Sequence, residues 1–227
     1  MTRVQNPDIS EVLRKMKQSN VKEILVITAK LIVICSIVAA IIAFVNSITK
    51  DKIAYNEKLT SANALTEIYS SEFDNKPFEV IESGYVIKDG ENILVECSEA
   101  EFSSISVSDD ITALYVLNDK DGNSLGYCVA TEPMGFKDKI KMLVAVNSDT
   151  TVKGVKIVSM SETKGYGTKA GESAFLDKFV NLGEEAASNV DIITGATKTS
   201  SPVINAVSDA LKQVTAYTKS NGGAVNE

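Results

Sequence analysis

Residues 31–48, LIVICSIVAAIIAFVNSI, are 18 consecutive positions without a charge. With Ile24–Ala29 they make a 25-residue apolar stretch broken only by Lys30. A bilayer core about 30 Å thick needs about 20 such residues in a helix. Lys30 is close enough to the start for its ammonium to reach the interface along its own apolar stem. A buried core helix of this length would show a polar face. A cleaved signal peptide would have a shorter apolar region and a shorter leader than residues 1–23. The sequence therefore predicts a retained transmembrane helix over residues 24–48. Ser36, Ala39, Ala40 and Ala43 offer one small-residue face for a neighbouring helix; lipid-facing alanine is the plainer alternative.

Charge divides at the same place. Residues 1–50 hold 7 Lys/Arg and 3 Asp/Glu, and residues 51–227 hold 16 and 27. A small basic head and a larger acidic body indicate two environments. An acidic body repels phosphates, so nucleic acid is not an expected partner. Arg14, Lys15, Lys17, Lys22 and Lys30 precede or enter the span, and Lys50, Lys52 and Lys58 follow it. Positive residues favour the cytoplasmic side, which places residues 1–23 inside and the body outside.

The chain has no histidine, which removes Ser-His-Asp and Cys-His catalysis and imidazole metal sites. Its three cysteines contain no CxxC pair, so no metal site is expected. Cys97 and Cys128 are either core residues or a disulfide. Chemistry in such a body needs a borrowed cofactor, and no catalytic side chain is expected.

Residues 53–70 carry Leu59, Ala62, Leu65, Ile68 and Tyr69 at helical spacing, as a continuation of the membrane helix or as a separate stalk. Three paired β runs follow. Asp89-Gly90 and Asp121-Gly122 mark two turns. The third pair alternates Ile140, Met142, Val144 and Val146 before a turn at Asn147–Thr150. Short turns imply an antiparallel sheet. Two helices are then expected: residues 172–182, with Phe175, Leu176 and Phe179 on one face, and residues 202–217, with Pro202 in the first turn. The fold class is α+β. The domain boundaries expected are 1–23, 24–48, a helical stalk at 49–75, a folded domain at 76–218 and a tail at 219–227.

Two loops stand out. SETKGYGTKAG, residues 161–171, has three glycines that permit close approach or positive φ, although most such loops are turns. DIITGATKTSSP, residues 191–202, precedes the last helix. Its plain reading is a Thr194-Gly195 turn with Thr199 or Ser200 as the helix cap. The other reading is an anion at a helix N-terminus.

Together these loops carry a resemblance. DIITGAT resembles the acidic-x-x-Ser/Thr-Gly-Ala-Thr motif of proteins that hold FMN through a phosphoester to the final threonine. SETKGYG resembles the Ser-Glu-Thr-Pro-Gly-Leu-Gly loop of the same family. With the membrane helix, strands and helices in the same order over roughly residues 24–218, the chain is similar to the FMN-binding family. That family is shared by the G subunit of the Rnf ion-translocating oxidoreductase and the C subunit of the sodium-pumping NADH:quinone reductase. The compact length favours the former. The resemblance implies a single N-terminal transmembrane helix followed by an antiparallel-sheet FMN-binding domain with flanking helices. It implies one covalent FMN on Thr197, within a motif of Asp191, Thr194, Gly195 and Ala196. Ser161, Glu162, Thr163, Gly165, Tyr166 and Gly167 would lie beside the flavin. Lys164 stands where the family has proline and Tyr166 where it has leucine.

The implied function is electron relay in a membrane complex that moves electrons between ferredoxin and NAD while translocating Na⁺ or H⁺. The implied partners are the other membrane and soluble subunits of the complex, membrane lipid, and a flavin transferase during maturation. The alternatives are the quinone-reductase subunit and a tethered binding or sensor module without electron relay. Lys164 near the flavin would raise its potential; Tyr166 would stack on the ring or stand as an exposed loop aromatic.

Overall fold

A computed structural model describes residues 9–70, 72–87 and 92–221. The chain divides into two units, Met1–Tyr55 and Asn56–Glu227. Helix α1, Ile9–Ile68, contributes to both. Among the described residues it is the one helix long and apolar enough to cross a membrane. Its side chains from Ile24 to Ile48 are all exposed, as a lipid-facing segment requires. The helical spacing after Ile53 thus continues α1, and no separate helix starts there.

The second unit holds seven strands: β1 (Phe78–Ile81), β2 (Gly84–Ile87), β3 (Ile93–Glu96), β4 (Ile111–Asn118), β5 (Ser124–Thr131), β6 (Lys141–Asn147) and β7 (Val152–Ser159). Every strand pairs antiparallel with its sequence neighbour, so the sheet runs β1 to β7 in order. The expected turns explain this. Asp119 accepts the amides of Asp121 and Asn123 at 2.9 and 2.8 Å, and Gly122 has φ 83°. The Thr150 amide donates to the Asn147 carbonyl at 3.0 Å. Asp89-Gly90 lies outside the described residues; the strands flanking it pair in the register Tyr85 with Leu94.

Both faces of the sheet are covered. On one, Val129, Ile140, Met142, Val144 and Val146 meet helix α5, Thr197–Ser220, through Val203, Val207, Leu211 and Val214. On the other, Leu65 near the end of α1 and Tyr69 just after it meet Ile87, Leu94, Leu117, Leu143 and Ala145. The Ile140–Val146 alternation correctly marks one face, but Leu143 and Ala145 between them are buried too. A strand buried on both faces reads as a continuous apolar run, and KMLVAV is one. Each fully buried Leu or Val contributes about 1.5–3 kcal/mol, so Ala62, Ala64, Leu65 and Tyr69 make residues 62–69 part of the domain core.

Two expectations need correction. Residues 172–182 are not one helix. They form a short α3 (Ser173–Leu176) and a 3₁₀ turn (Asp177–Phe179), ending at Asn181 with φ 63°. Phe175, Leu176 and Phe179 are buried as expected, but three contacts on one face do not require an unbroken helix. Two short helices lie outside the sequence reading, α2 (Glu99–Ile105) and α4 (Glu184–Ser188). The last helix begins at Thr197, not Pro202, so Pro202 lies inside α5. No disulfide links Cys35, Cys97 or Cys128. Cys128 lies in the core beneath α1 and Cys97 packs against the core beneath α5, on the opposite sheet face.

Candidate functional site

The start of α5 is built by a turn. The Ala196 amide donates to the Ile193 carbonyl at 2.9 Å. Gly195, the third residue of that turn, has φ 81°, and Thr194 before it is not in the positive-φ region. This is a type II turn, which requires glycine or asparagine at its third position. Ser200 pins it from the helix: its Oγ accepts the Ile193 amide at 3.1 Å and donates to the Ala196 carbonyl at 3.1 Å. Ala196 occupies the cap position and makes no side-chain cap bond. Neither Thr199 nor Ser200 caps the helix. The amides of Thr197 and Lys198 are the first of α5, a position with no intrahelical acceptor.

The SET loop repeats the device. The Tyr166 amide donates to the Thr163 carbonyl at 3.2 Å, and Gly165 has φ 77° with Lys164 outside the positive-φ region. Lys164 therefore takes the second position of a type II turn, where proline is favoured. The Thr168 hydroxyl accepts the Gly165 amide at 2.9 Å and steadies it.

Glu162 joins the two loops to a third segment. One carboxylate oxygen accepts the Phe136 and Lys137 amides at 2.8 and 3.1 Å. The other accepts the Thr199 hydroxyl at 2.9 Å. Glu162 is buried, and so is Thr199. A buried carboxylate is tolerable only when its lone pairs are used, and here three donors use them. Two glycines make room. A Cβ on Gly135 would lie 2.4 Å from Glu162 Oε1, and one on Gly167 would lie 2.7 Å from Oε2 and 2.9 Å from Thr199 Oγ1.

These segments enclose a cavity of about 420 Å³. Of the residues singled out from sequence, Glu162, Thr163, Tyr166, Gly167, Gly195, Ala196 and Thr197 line it. Asp191, Ser161, Thr194 and Gly165 do not; all four are exposed, and the last two serve the turns. Three lining residues lie outside the sequence reading of the site: Phe136, Lys198 and Thr199, the last weighed only as a cap. The cation at the cavity is Lys198, not Lys164. Its Nζ stands 5.6 Å from the centroid of the Phe136 ring. Phe136 is 58% exposed and Tyr166 64%, high for large aromatics of a folded domain.

The donor set suits a phosphate-bearing aromatic molecule. Unpaired helix-start amides and an ammonium favour a phosphate. Two accessible aromatic rings favour a planar ring. Nothing lies within 4 Å of a Cβ built on Gly195, so backbone approach there is open. The residues present fit FMN.

Comparisons with known proteins agree with this geometry. The family described as FMN-binding domain matches residues 135–212, from Gly135 of the Glu162 network well into α5. The family described as RnfG N-terminal region matches residues 16–68, nearly all of α1. Together the two cover more than half of the chain. The G subunit of an ion-translocating oxidoreductase complex from Methanosarcina acetivorans is 27% identical over 205 residues, covering 87% of this chain and 98% of that protein. The G subunit of a proton-translocating ferredoxin:NAD⁺ oxidoreductase complex from Clostridium ljungdahlii is 34% identical over 108 residues; the match spans 44% of this chain and 58% of that protein. The G subunit of the Na⁺-translocating ferredoxin:NAD⁺ oxidoreductase complex from Acetobacterium woodii is 26% identical over 178 residues, 78% of each. With an apolar helix at one end and an FMN-binding domain at the other, the chain belongs to the G-subunit family of Rnf-type ion-translocating oxidoreductase complexes.

Proposed function

We propose that this chain is the membrane-anchored flavoprotein subunit of a ferredoxin:NAD⁺ oxidoreductase complex that translocates Na⁺ or H⁺. The observation that carries the reading is convergence: Glu162, Thr163, Tyr166 and Gly167 of one loop and residues 195–199, separate in sequence, line one cavity at the start of α5. FMN, when bound, supplies the redox chemistry, and it passes one or two electrons.

The chain's own residues supply the attachment and the surroundings. Thr197 is exposed at the first position of α5 and lines the cavity, so its hydroxyl is available for a phosphoester. Asp191, Thr194, Gly195 and Ala196 make the corner that a flavin transferase would read. Glu162 fixes Thr199 and the Phe136 segment, and so sets the distance between the cavity walls. Thr163, Gly167 and Tyr166 form the side facing the attachment point. No side chain is required as an acid or base for outer-sphere electron transfer.

The N-terminus would be cytoplasmic and the flavin domain outside the cytoplasm, where a covalent link keeps the cofactor from being lost. The excess of Lys/Arg before the span supports this orientation. The other membrane and soluble subunits and the surrounding lipid would be its partners. The domain scheme is an anchor at 24–48, a helical stalk at 49–75 and a flavin domain at 76–218, with the end of the stalk also serving the domain core.

The test is protein purified from cells that flavinylate it. An ultraviolet-fluorescent band on a denaturing gel and an intact mass raised by one FMN are expected, and both vanish in Thr197→Ala. A wild-type mass equal to the bare polypeptide overturns the attachment.

A further inference from the structure

Lys198 sits where a helix disfavours it. It is the second residue of α5, whose first turn contains no acidic residue, and a cation there opposes the helix dipole. Among the described residues no carboxylate forms an ion pair with it. Glu162, the carboxylate that lines the same cavity, already accepts two amides and a hydroxyl. Among the described residues the partner of Lys198 is the Phe136 ring, at 5.6 Å. An exposed cation–π contact is weak. The fold alone does not account for a lysine here.

We infer that Lys198 is the counter-charge of the bound cofactor: its ammonium, held against Phe136 at the cavity wall, pairs with the negative charge that FMN brings to the site. This rests on the reading of Thr197 as the attachment point. Two anions are within the same chemistry. A phosphodiester on Thr197 keeps one negative oxygen, one residue away along the chain. The ring gains negative charge when it takes up electrons in excess of protons. In either case the lysine's unfavourable position in the free protein is offset only when the cofactor is present. Lys198 acts by charge and is not a redox or proton-transfer group.

The test uses the full chain in detergent from a flavinylating host, as wild type, Lys198→Gln, Lys198→Arg and Thr197→Ala. In-gel fluorescence reports attachment, spectroelectrochemistry at fixed pH reports the midpoint potential, and ³¹P NMR reports the phosphate. Lys198→Gln is expected to lower the potential if the ammonium faces the ring, or to move the ³¹P resonance if it faces the phosphate. Lys198→Arg restores wild-type behaviour. In the cofactor-free Thr197→Ala background, adding Lys198→Gln raises the melting temperature, because a cation leaves the first turn of α5. Loss of the fluorescent band in Lys198→Gln, with the fold intact and the band restored in Lys198→Arg, also supports the inference. Fluorescent Lys198→Gln with potential and ³¹P resonance both unchanged overturns it and leaves the attachment standing. A wild type with no band overturns the attachment reading, and this inference with it.

Discussion

The Thr199 hydroxyl donates to Glu162 Oε2 at 2.9 Å, across 37 residues of sequence, and both side chains are buried. This bond ties the start of α5 to the SET loop, while the other oxygen of Glu162 holds the Phe136 segment. Glu162→Ala would leave two amides and a hydroxyl without their acceptor, a loss of about 3 kcal/mol or more at 1–3 kcal/mol per unsatisfied group. Glu162→Gln keeps one acceptor oxygen for the two amides, but its NH₂ cannot accept the Thr199 hydroxyl, which must turn to accept from it instead; with the lost charge assistance this costs about 1–2 kcal/mol. Urea unfolding of the two variants checks the ranking. Equal stability of Ala and Gln variants would contradict it.

Gly195 and Gly167 are predicted to fail differently. Gly195 has open space around it but φ 81°, so Gly195→Ala costs about 1–2 kcal/mol of backbone strain and Gly195→Asn less. Gly167 has no positive φ, and its Cβ would collide with Glu162 and Thr199. Asparagine therefore rescues position 195 and not position 167. Thermal melts of the four variants decide.

Lys164 occupies the second position of the Thr163–Tyr166 turn, where proline's fixed φ fits. Lys164→Pro is expected to stabilise the domain by about 0.4–1 kcal/mol through the unfolded state, a rise of about 1–4 °C in Tm. Flavin attachment should be unchanged, since Lys164 does not line the cavity. A fall in Tm would show that the turn is not of this type.

Alkaline pH should weaken the fold. Burial pushes the Cys128 thiol up to about 12 from an ordinary 9.0, and burial raises Tyr69 and Tyr115 as well. A folded-state value above the unfolded one means the unfolded chain releases its proton first. Stability is then fully present below about pH 9 and falls as pH rises toward 12. Cys128→Ala should flatten the first part of that decline, around pH 9–10. In native protein, thiol reagents should modify half-buried Cys97 and spare Cys128.

Leu65 is fully buried against the sheet. Leu65→Ala should cost about 2–5 kcal/mol. Removing the nearby Lys156–Glu67 pair, both partly exposed, should cost less than about 1 kcal/mol. A soluble fragment begun after Tyr69 should therefore be far less stable than one begun at Asn56, which denaturation of the two fragments would show.

The meander was legible because its turns carry their own chemistry: Asp119 and Gly122 make their turn whatever surrounds them. The break in residues 172–182 was not, because Phe175, Leu176 and Phe179 satisfy helical spacing whether or not the backbone continues. Thr197, which lines the cavity, was singled out through its motif, and the loops through their glycines. Phe136 was missed because nothing local distinguishes it. It reaches the site only through its amide bond to Glu162, 26 residues on. Lys198 did leave a signal, a lysine in the first turn of a helix lacking acidic residues, but that signal needs the true start of α5. Placing the start at Pro202 hid it.

The strands pair strictly in the order of synthesis, whereas the cavity walls come from residues near 136, 162–167 and 195–199. A growing chain can complete all seven strands before α5 exists. The pocket is completed only when the final helix docks, so a ligand of this cavity meets its full set of walls only in the finished polypeptide, and a chain cut short before Thr197 lacks the wall that Thr197, Lys198 and Thr199 supply.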